Sequence, residues 1–236
     1  MEELSKFVFG AIGGGFAATV FRVLDATLQS RREKKQSAQA TLRKYAKPLW
    51  LAAHALESRL DHVANTLKNR SALKSIPQRG YLLDWYAKDG YYAVSTAYHI
   101  SAVASWIGLF QRDVVFLEFP KQSQSDKFFR LVEGLQAIFS QSPSILWYQY
   151  IDGIGSELID EGRSQPMTFS AFCRRLSQDE SFRLFYDQLF QFLTKLADNR
   201  YPKLLHDTLE QLSRIKSCLS DAGAVSGLPA VEDPSF

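Results

Sequence analysis

The chain has 236 residues, of which 46% are hydrophobic, and a formal net charge of +3 at pH 7. Residues 31–47 contain seven Lys or Arg residues and one acidic residue, Glu33, whereas the sequence from residue 48 onward is slightly acidic. Because the basic character is local, composition argues against a broad nucleic-acid surface, and we expect no nucleic-acid partner. The length suits one sizeable domain or two small ones, and one is the simpler interpretation.

The first predicted element is the uncharged apolar run of residues 7–21. A bilayer core of about 30 Å needs about 20 helical residues, and this run has 15. The flanking Lys6 and Arg22 can snorkel toward the headgroups, which extends the usable span to residues 4–24. We therefore predict that residues 1–30 form a transmembrane or membrane-anchor helix. A helix lying in the membrane interface and a soluble core helix are the open alternatives.

Small residues recur at four-residue spacing along this apolar run. Such a face lets two helices approach closely in lipid, so self-association into a homo-oligomer is expected. The residues predicted to pack at this face are Gly10, Gly14, Gly15 and Ala18.

The basic segment of residues 31–47 is predicted to be a stalk close to anionic lipid headgroups. The residues predicted to contact the headgroups are Arg31, Arg32, Lys34 and Lys35. An excess of Lys and Arg marks the cytoplasmic side of a membrane span. We accordingly expect a single-pass protein of the inner (plasma) membrane, with the N-terminus outside and the bulk domain in the cytoplasm.

Residues 48–221 are predicted to form an all-α domain, an irregular multi-helix bundle. A joint is expected at residues 46–48 because Pro48 can either lie in the first turn of a new helix or kink the preceding one, and no strand is expected. The tail of residues 222–236 lacks periodicity and is predicted to be disordered. Apolar spacing predicts helices over residues 49–67, 91–119, 126–139, 145–161, a short one headed by Thr168, one from Asp179 to about residue 199, and 203–219.

Two groups of side chains are candidates for a functional surface. Amphipathic aromatics suit a protein interface, and the candidates are Tyr81, Trp85, Tyr86, Tyr91 and Tyr92. Carboxylates at i, i+3 and i+4 on a helix can raise one another's pKa and serve acid–base chemistry. The candidates for such a ligand site are His99, Asp152, Glu157, Asp160 and Glu161. The alternatives are a solvated helix face or a contact with a basic helix for the carboxylates, and a hydrogen-bonded core position for the histidine. Cys173 and Cys218 are expected to be free thiols, and we expect no catalytic motif, metal site or cofactor.

Two stretches, RKYAKPLWLAAHALESRL and STAYHISAVASWIGLFQRDVVFLEF, resemble a loose set of bacterial proteins. The resemblance covers residues 40–120 and implies an N-terminal apolar helix, a basic stalk and a helical domain. It implies no activity and no catalytic residue.

The expected function is that of an interaction or scaffold module, anchored in the membrane and acting on protein partners on the cytoplasmic side. The first alternative is an enzyme or ligand-binding helical domain with a carboxylate and histidine pocket. The second is a soluble adaptor whose N-terminal helix inserts into a partner protein.

Overall fold

The structure is a computed structural model that describes residues 29–30, 33, 42–66, 71–74, 90–114, 122–140, 146, 148–160, 162–221 and 225. The predicted membrane helix except residues 29–30, its glycine face, the four headgroup-contact residues and the predicted disordered tail except residue 225 lie outside these residues. The described part is mostly helical, as the sequence predicts. Its helices are α1 (residues 42–65), α2 (Tyr91–Val114), α3 (Gln122–Ser140), α4 (Tyr148–Leu158), α5 (Phe169–Gln178), α6 (Glu180–Ala197) and α7 (Pro202–Asp221).

Helix α1 runs through the joint that was predicted at residues 46–48. Proline removes one backbone donor from a helix and can bend it, but Pro48 does not end this one. Tyr45 and Ala46 before it and Leu49 after it are all buried in the core. Burial on both sides of Pro48 outweighs the loss of one hydrogen bond, so part of the predicted stalk belongs to the folded bundle.

Helix α2 is the central helix of the bundle. It packs against α4, α5 and α6 and against the second strand of the hairpin described below. The stretch Tyr91–Arg112 is the one helix in the described ranges that is long and apolar enough to cross a membrane, and 72% of its apolar window is buried inside the protein. Packing within the bundle accounts for the apolar character of this helix, as predicted for a central core helix.

Helices α2 and α4 cross in close contact at Gly155. A Cβ atom on Gly155 would lie 2.8 Å from the carbonyl carbon of Ala104 and 3.0 Å from the backbone nitrogen of Ser105. The Ser105 hydroxyl donates a hydrogen bond to the Gly155 carbonyl oxygen over 2.7 Å. The absence of a side chain at residue 155 thus brings the two backbones together.

A short hairpin interrupts the helices where none was predicted. Strands β1 (Ile159–Asp160) and β2 (Gln165–Pro166) pair antiparallel, with Ile159 opposite Pro166. The connecting turn contains Ser164 at a φ of 49°. The helix predicted for residues 145–161 therefore ends at Leu158. The hairpin was missed because strands of two residues are too short to show an alternating pattern in the sequence.

Two helix starts agree with the capping residues predicted from sequence. The Thr168 hydroxyl accepts the N–H of Ala171 at the start of α5, and an Asp179 carboxylate oxygen accepts the N–H of Phe182 at the start of α6. Side-chain oxygens at this position satisfy donors that the first helical turn leaves unpaired.

Tyrosine hydroxyls connect α4 to α6. Tyr150 donates to the Phe185 carbonyl oxygen over 2.8 Å and accepts the N–H of Leu189 over 3.1 Å. Tyr186 donates in the opposite direction, to the Ile154 carbonyl oxygen over 3.2 Å. The two ties fix the position of one helix along the other.

Candidate functional site

The predicted carboxylate cluster is divided by the end of α4. Glu157 lies in the last turn of α4, whereas Asp160 lies in β1, so the shared helix face assumed from their spacing does not form. Asp152 is exposed on α4, and Glu161 lies outside the described residues. No set of three or more His, Cys, Asp or Glu side chains suited to a metal ion occurs among the residues described.

Glu157 is bound by Arg175 of α5. One guanidinium nitrogen of Arg175 lies 2.8 Å from the Glu157 carboxylate, and another donates to the Glu157 carbonyl oxygen over 3.0 Å. The same guanidinium lies 3.5 Å from the Asp179 carboxylate and 4.2 Å from the centre of the Phe182 ring. The hydrogen bond from the Phe182 N–H, assisted by Arg175, lowers the pKa of Asp179. These contacts join α4, α5 and α6, so Arg175 and Glu157 have a structural role.

Asp160 also has local partners. Its carboxylate accepts the N–H of Gly162 over 3.1 Å and lies 3.7 Å from the guanidinium of Arg163. Both contacts lie within the hairpin turn. Asp160 therefore stabilises the turn.

His99 is neutral at physiological pH. Burial, followed by the charge of Arg59, lowers its pKa to about 4. Its neighbour Tyr98 donates a hydrogen bond to the Met167 carbonyl oxygen over 3.0 Å and contacts the His99 ring edge to face at 5.7 Å. A histidine in this state fits a core position, as the alternative interpretation of the sequence had it.

Two of the predicted interface aromatics, the exposed Tyr91 and the half-buried Tyr92, lie together at the start of α2. Tyr91 is 41% exposed, and its ring packs edge to face on Phe169 at 6.0 Å and on Tyr92 at 6.4 Å. The Arg59 guanidinium of α1 lies 4.4 Å from the Tyr92 ring centre and 5.4 Å from that of Tyr91. We call Arg59, Tyr91, Tyr92 and Phe169 the tyrosine surface; Tyr81, Trp85 and Tyr86 lie outside the described residues.

A narrow apolar cleft lies between α1, α2, α3 and α4. Leu56, Val103, Leu135 and Phe139 are among the side chains of its wall, and Asp152 is the charged one. Its free space is about 20 Å³, roughly the room that one water molecule needs. Ligand sites of ordinary size occupy about 300–1,000 Å³, so this cleft is too narrow for a substrate pocket without movement of its side chains.

A second, larger depression lies between α3 and α7 and was not anticipated from the sequence. It has a volume of about 430 Å³ and is lined by Ser123, Lys127, Arg130, Leu131, Gln211 and Arg214. We call it the basic groove. The three-residue spacing of Lys127 and Arg130 was a visible signal on α3, but the pairing of α3 with α7, which adds Arg214, was not.

Comparisons with known proteins identify no relative. No protein-family model matches the chain, and no curated protein or solved structure matches it. The resemblance described for residues 40–120 stays a prediction.

Proposed function

We propose that the protein is a membrane-anchored interaction module that holds a helical bundle at the cytoplasmic face of the membrane and binds a protein partner there. The anchor is assigned to the uncharged run of residues 7–21 and the headgroup contacts to the basic residues that follow. The glycine spacing in the anchor supports self-association of the membrane helices.

The tyrosine surface is the observation that carries the interaction role. Interfaces are enriched in Tyr and Arg, and Tyr supplies a large contact area and a hydrogen-bonding hydroxyl at little cost in side-chain entropy. Arg59 and Phe169 hold the two tyrosine rings in place on α2. Such a preorganised group loses less conformational freedom on binding than isolated exposed side chains do.

The enzyme alternative has weaker support in the described part of the chain. Glu157 is bound by Arg175 and Asp160 lies within the hairpin turn, while His99 has its pKa lowered to about 4 by burial and by Arg59. A general base functions best with a pKa near the operating pH, and the pKa of His99 is far below physiological pH.

Fractionation tests the anchor. We expect the full chain to sediment with membranes after lysis without detergent and to need detergent for release, whereas a chain lacking residues 1–30 should stay in the supernatant. Identical behaviour of the two chains would refute the anchor. Co-purification of the full chain with a protein partner in place of lipid would favour the soluble adaptor.

Crosslinking in membranes tests the tyrosine surface. Replacing both Tyr91 and Tyr92 by Ala should weaken partner crosslinking by about tenfold or more, since central interface aromatics contribute 2 kcal/mol or more. The matched control is Leu184→Ala, which removes an apolar side chain that is 61% exposed on α6. Equal crosslinking by the tyrosine variant and the control would contradict the assignment.

A further inference from the structure

The basic groove collects cations from two helices around one concave surface. Lys127 and Arg130 lie on consecutive turns of α3, and Arg214 reaches the same space from α7. All three side chains are exposed. The volume of about 430 Å³ falls within the range of small-molecule sites.

The positive charge of the groove is only partly neutralised. Arg214 lies 2.5 Å from the Glu210 carboxylate, one turn earlier on α7. Within the part of the chain that the structure describes, neither Lys127 nor Arg130 makes an ion pair. No acidic residue lines the groove, so an anion entering it meets a net positive surface.

The back of the groove is held by a contact between α3 and α7. The Gln211 amide donates a hydrogen bond to the Leu131 carbonyl oxygen over 2.6 Å. A Cβ atom on Gly134 would lie 2.5 Å from that amide nitrogen, so glycine at this position makes room for the Gln211 side chain. Because these residues fix the spacing of the two helices, the backbone positions of Arg130 and Arg214 lie on opposite sides of the groove at a fixed separation.

The mouth of the groove adds a neutral donor. Ser123, at the start of α3, lines the groove, and its hydroxyl can donate a hydrogen bond. The Ser123 hydroxyl therefore supplements the three cations.

We propose that the basic groove binds a phosphate group, carried either by a soluble phosphate monoester or by a phospholipid headgroup. Two guanidinium groups offer the planar donor pairs that match phosphate oxygens, and the lysine adds a point charge. A phosphate has enough oxygens to engage donors from both helices together. This site uses none of the residues of the tyrosine surface or of the predicted membrane anchor.

Calorimetric titration of the full chain in a nonionic detergent with glycerol 3-phosphate tests the soluble source. The groove variant combines Arg130→Gln with Arg214→Gln. The control combines Arg174→Gln with Lys203→Gln, which removes two exposed cations from α5 and α7 outside the groove. We expect the groove variant to bind about tenfold or more weakly, because charge-assisted hydrogen bonds to phosphate are lost, and the control to bind like the unaltered chain.

Titration with short-chain phosphatidylglycerol added to the same micelles tests the headgroup source. The basic segment of residues 31–47 is identical in all three proteins, so only a difference between the groove variant and the control reports on the groove. A difference with glycerol 3-phosphate assigns a soluble ligand, and a difference with the lipid alone assigns a headgroup. The proposal is overturned if neither probe separates the groove variant from the control while both melt like the unaltered chain.

Discussion

Replacing Gly155 by Ala should destabilise the crossing of α2 and α4. The added Cβ would lie 2.8 Å from the carbonyl carbon and 3.0 Å from the carbonyl oxygen of Ala104. Both neighbours are backbone atoms of a buried helix, so no side-chain rotation relieves the clash. The helices must separate, which lengthens the 2.7 Å bond from the Ser105 hydroxyl to residue 155.

The size of the effect follows from three terms. Overpacking costs about 1–3 kcal/mol, and a clash against backbone belongs at the upper end. Loss of the Ser105 bond to residue 155 costs at most about 1 kcal/mol, because the same hydroxyl also donates to the Ser101 carbonyl oxygen over 2.8 Å. The better helix propensity of Ala returns about 1 kcal/mol. The free energy of unfolding should therefore fall by about 2–3 kcal/mol, which lowers the melting temperature by about 4–12 °C for a chain of this size.

Thermal unfolding followed by circular dichroism measures this change. Gly108→Ala is the matched control, because a Cβ atom on Gly108 of α2 meets nothing within 4 Å. This variant should show only the gain in helix propensity, which raises the melting temperature by about 2–4 °C. If the two variants melt at the same temperature, the close approach of α2 and α4 at Gly155 is wrong.

Three further predictions concern the core and its titrating groups. The pKa of His99 is lowered to about 4 in the folded protein, so as the pH falls the unfolded chain takes up the proton before the folded one does. The free energy of unfolding should therefore decrease as the pH falls from about 6.5 toward 4. Between pH 7 and pH 5, the melting temperature of His99→Gln should fall by less than that of the unaltered chain. Lys216 and Glu57 form an ion pair whose side chains are 17% and 21% exposed. Lys216→Met should cost about 2–3 kcal/mol in chemical denaturation by leaving the carboxylate without its partner, and adding Glu57→Gln should recover part of that loss. Burial raises the pKa of Cys173 to about 11, so its alkylation by iodoacetamide at pH 8 should be about a hundredfold slower than that of a free thiol with a pKa near 9, and a rate matching the free thiol would contradict the burial.

The sequence predicts the helical class because apolar residues recur at a period that only a helix places on one face. The N-caps at Thr168 and Asp179 were also readable, since their side chains act on donors two or three residues away. Pro48 shows the limit of local signals. Its effect on a helix depends on whether flanking residues are buried, and that burial is set by the tertiary structure.

The candidate site was less accessible from the sequence. The carboxylates of Glu157 and Asp160 were grouped by assuming that one helix contains both, and the end of α4 at Leu158 removes that premise. Arg175, which binds Glu157, lies 18 residues further along the chain, beyond the reach of helical periodicity. The basic groove likewise depends on Gln211 reaching Leu131 across 80 residues. Contacts of this kind arise from helix packing, which spacing alone does not specify.

The early start of α1 limits how far the bundle can stand from a bilayer. Leu42, Tyr45 and Ala46 are already core residues, so only residues 31–41 remain as a tether if the anchor ends at residue 30. Eleven helical residues span about 16 Å, and the same residues fully extended reach at most about 40 Å. If the proposed anchor is correct, the near side of the bundle therefore lies within about 40 Å of the lipid surface.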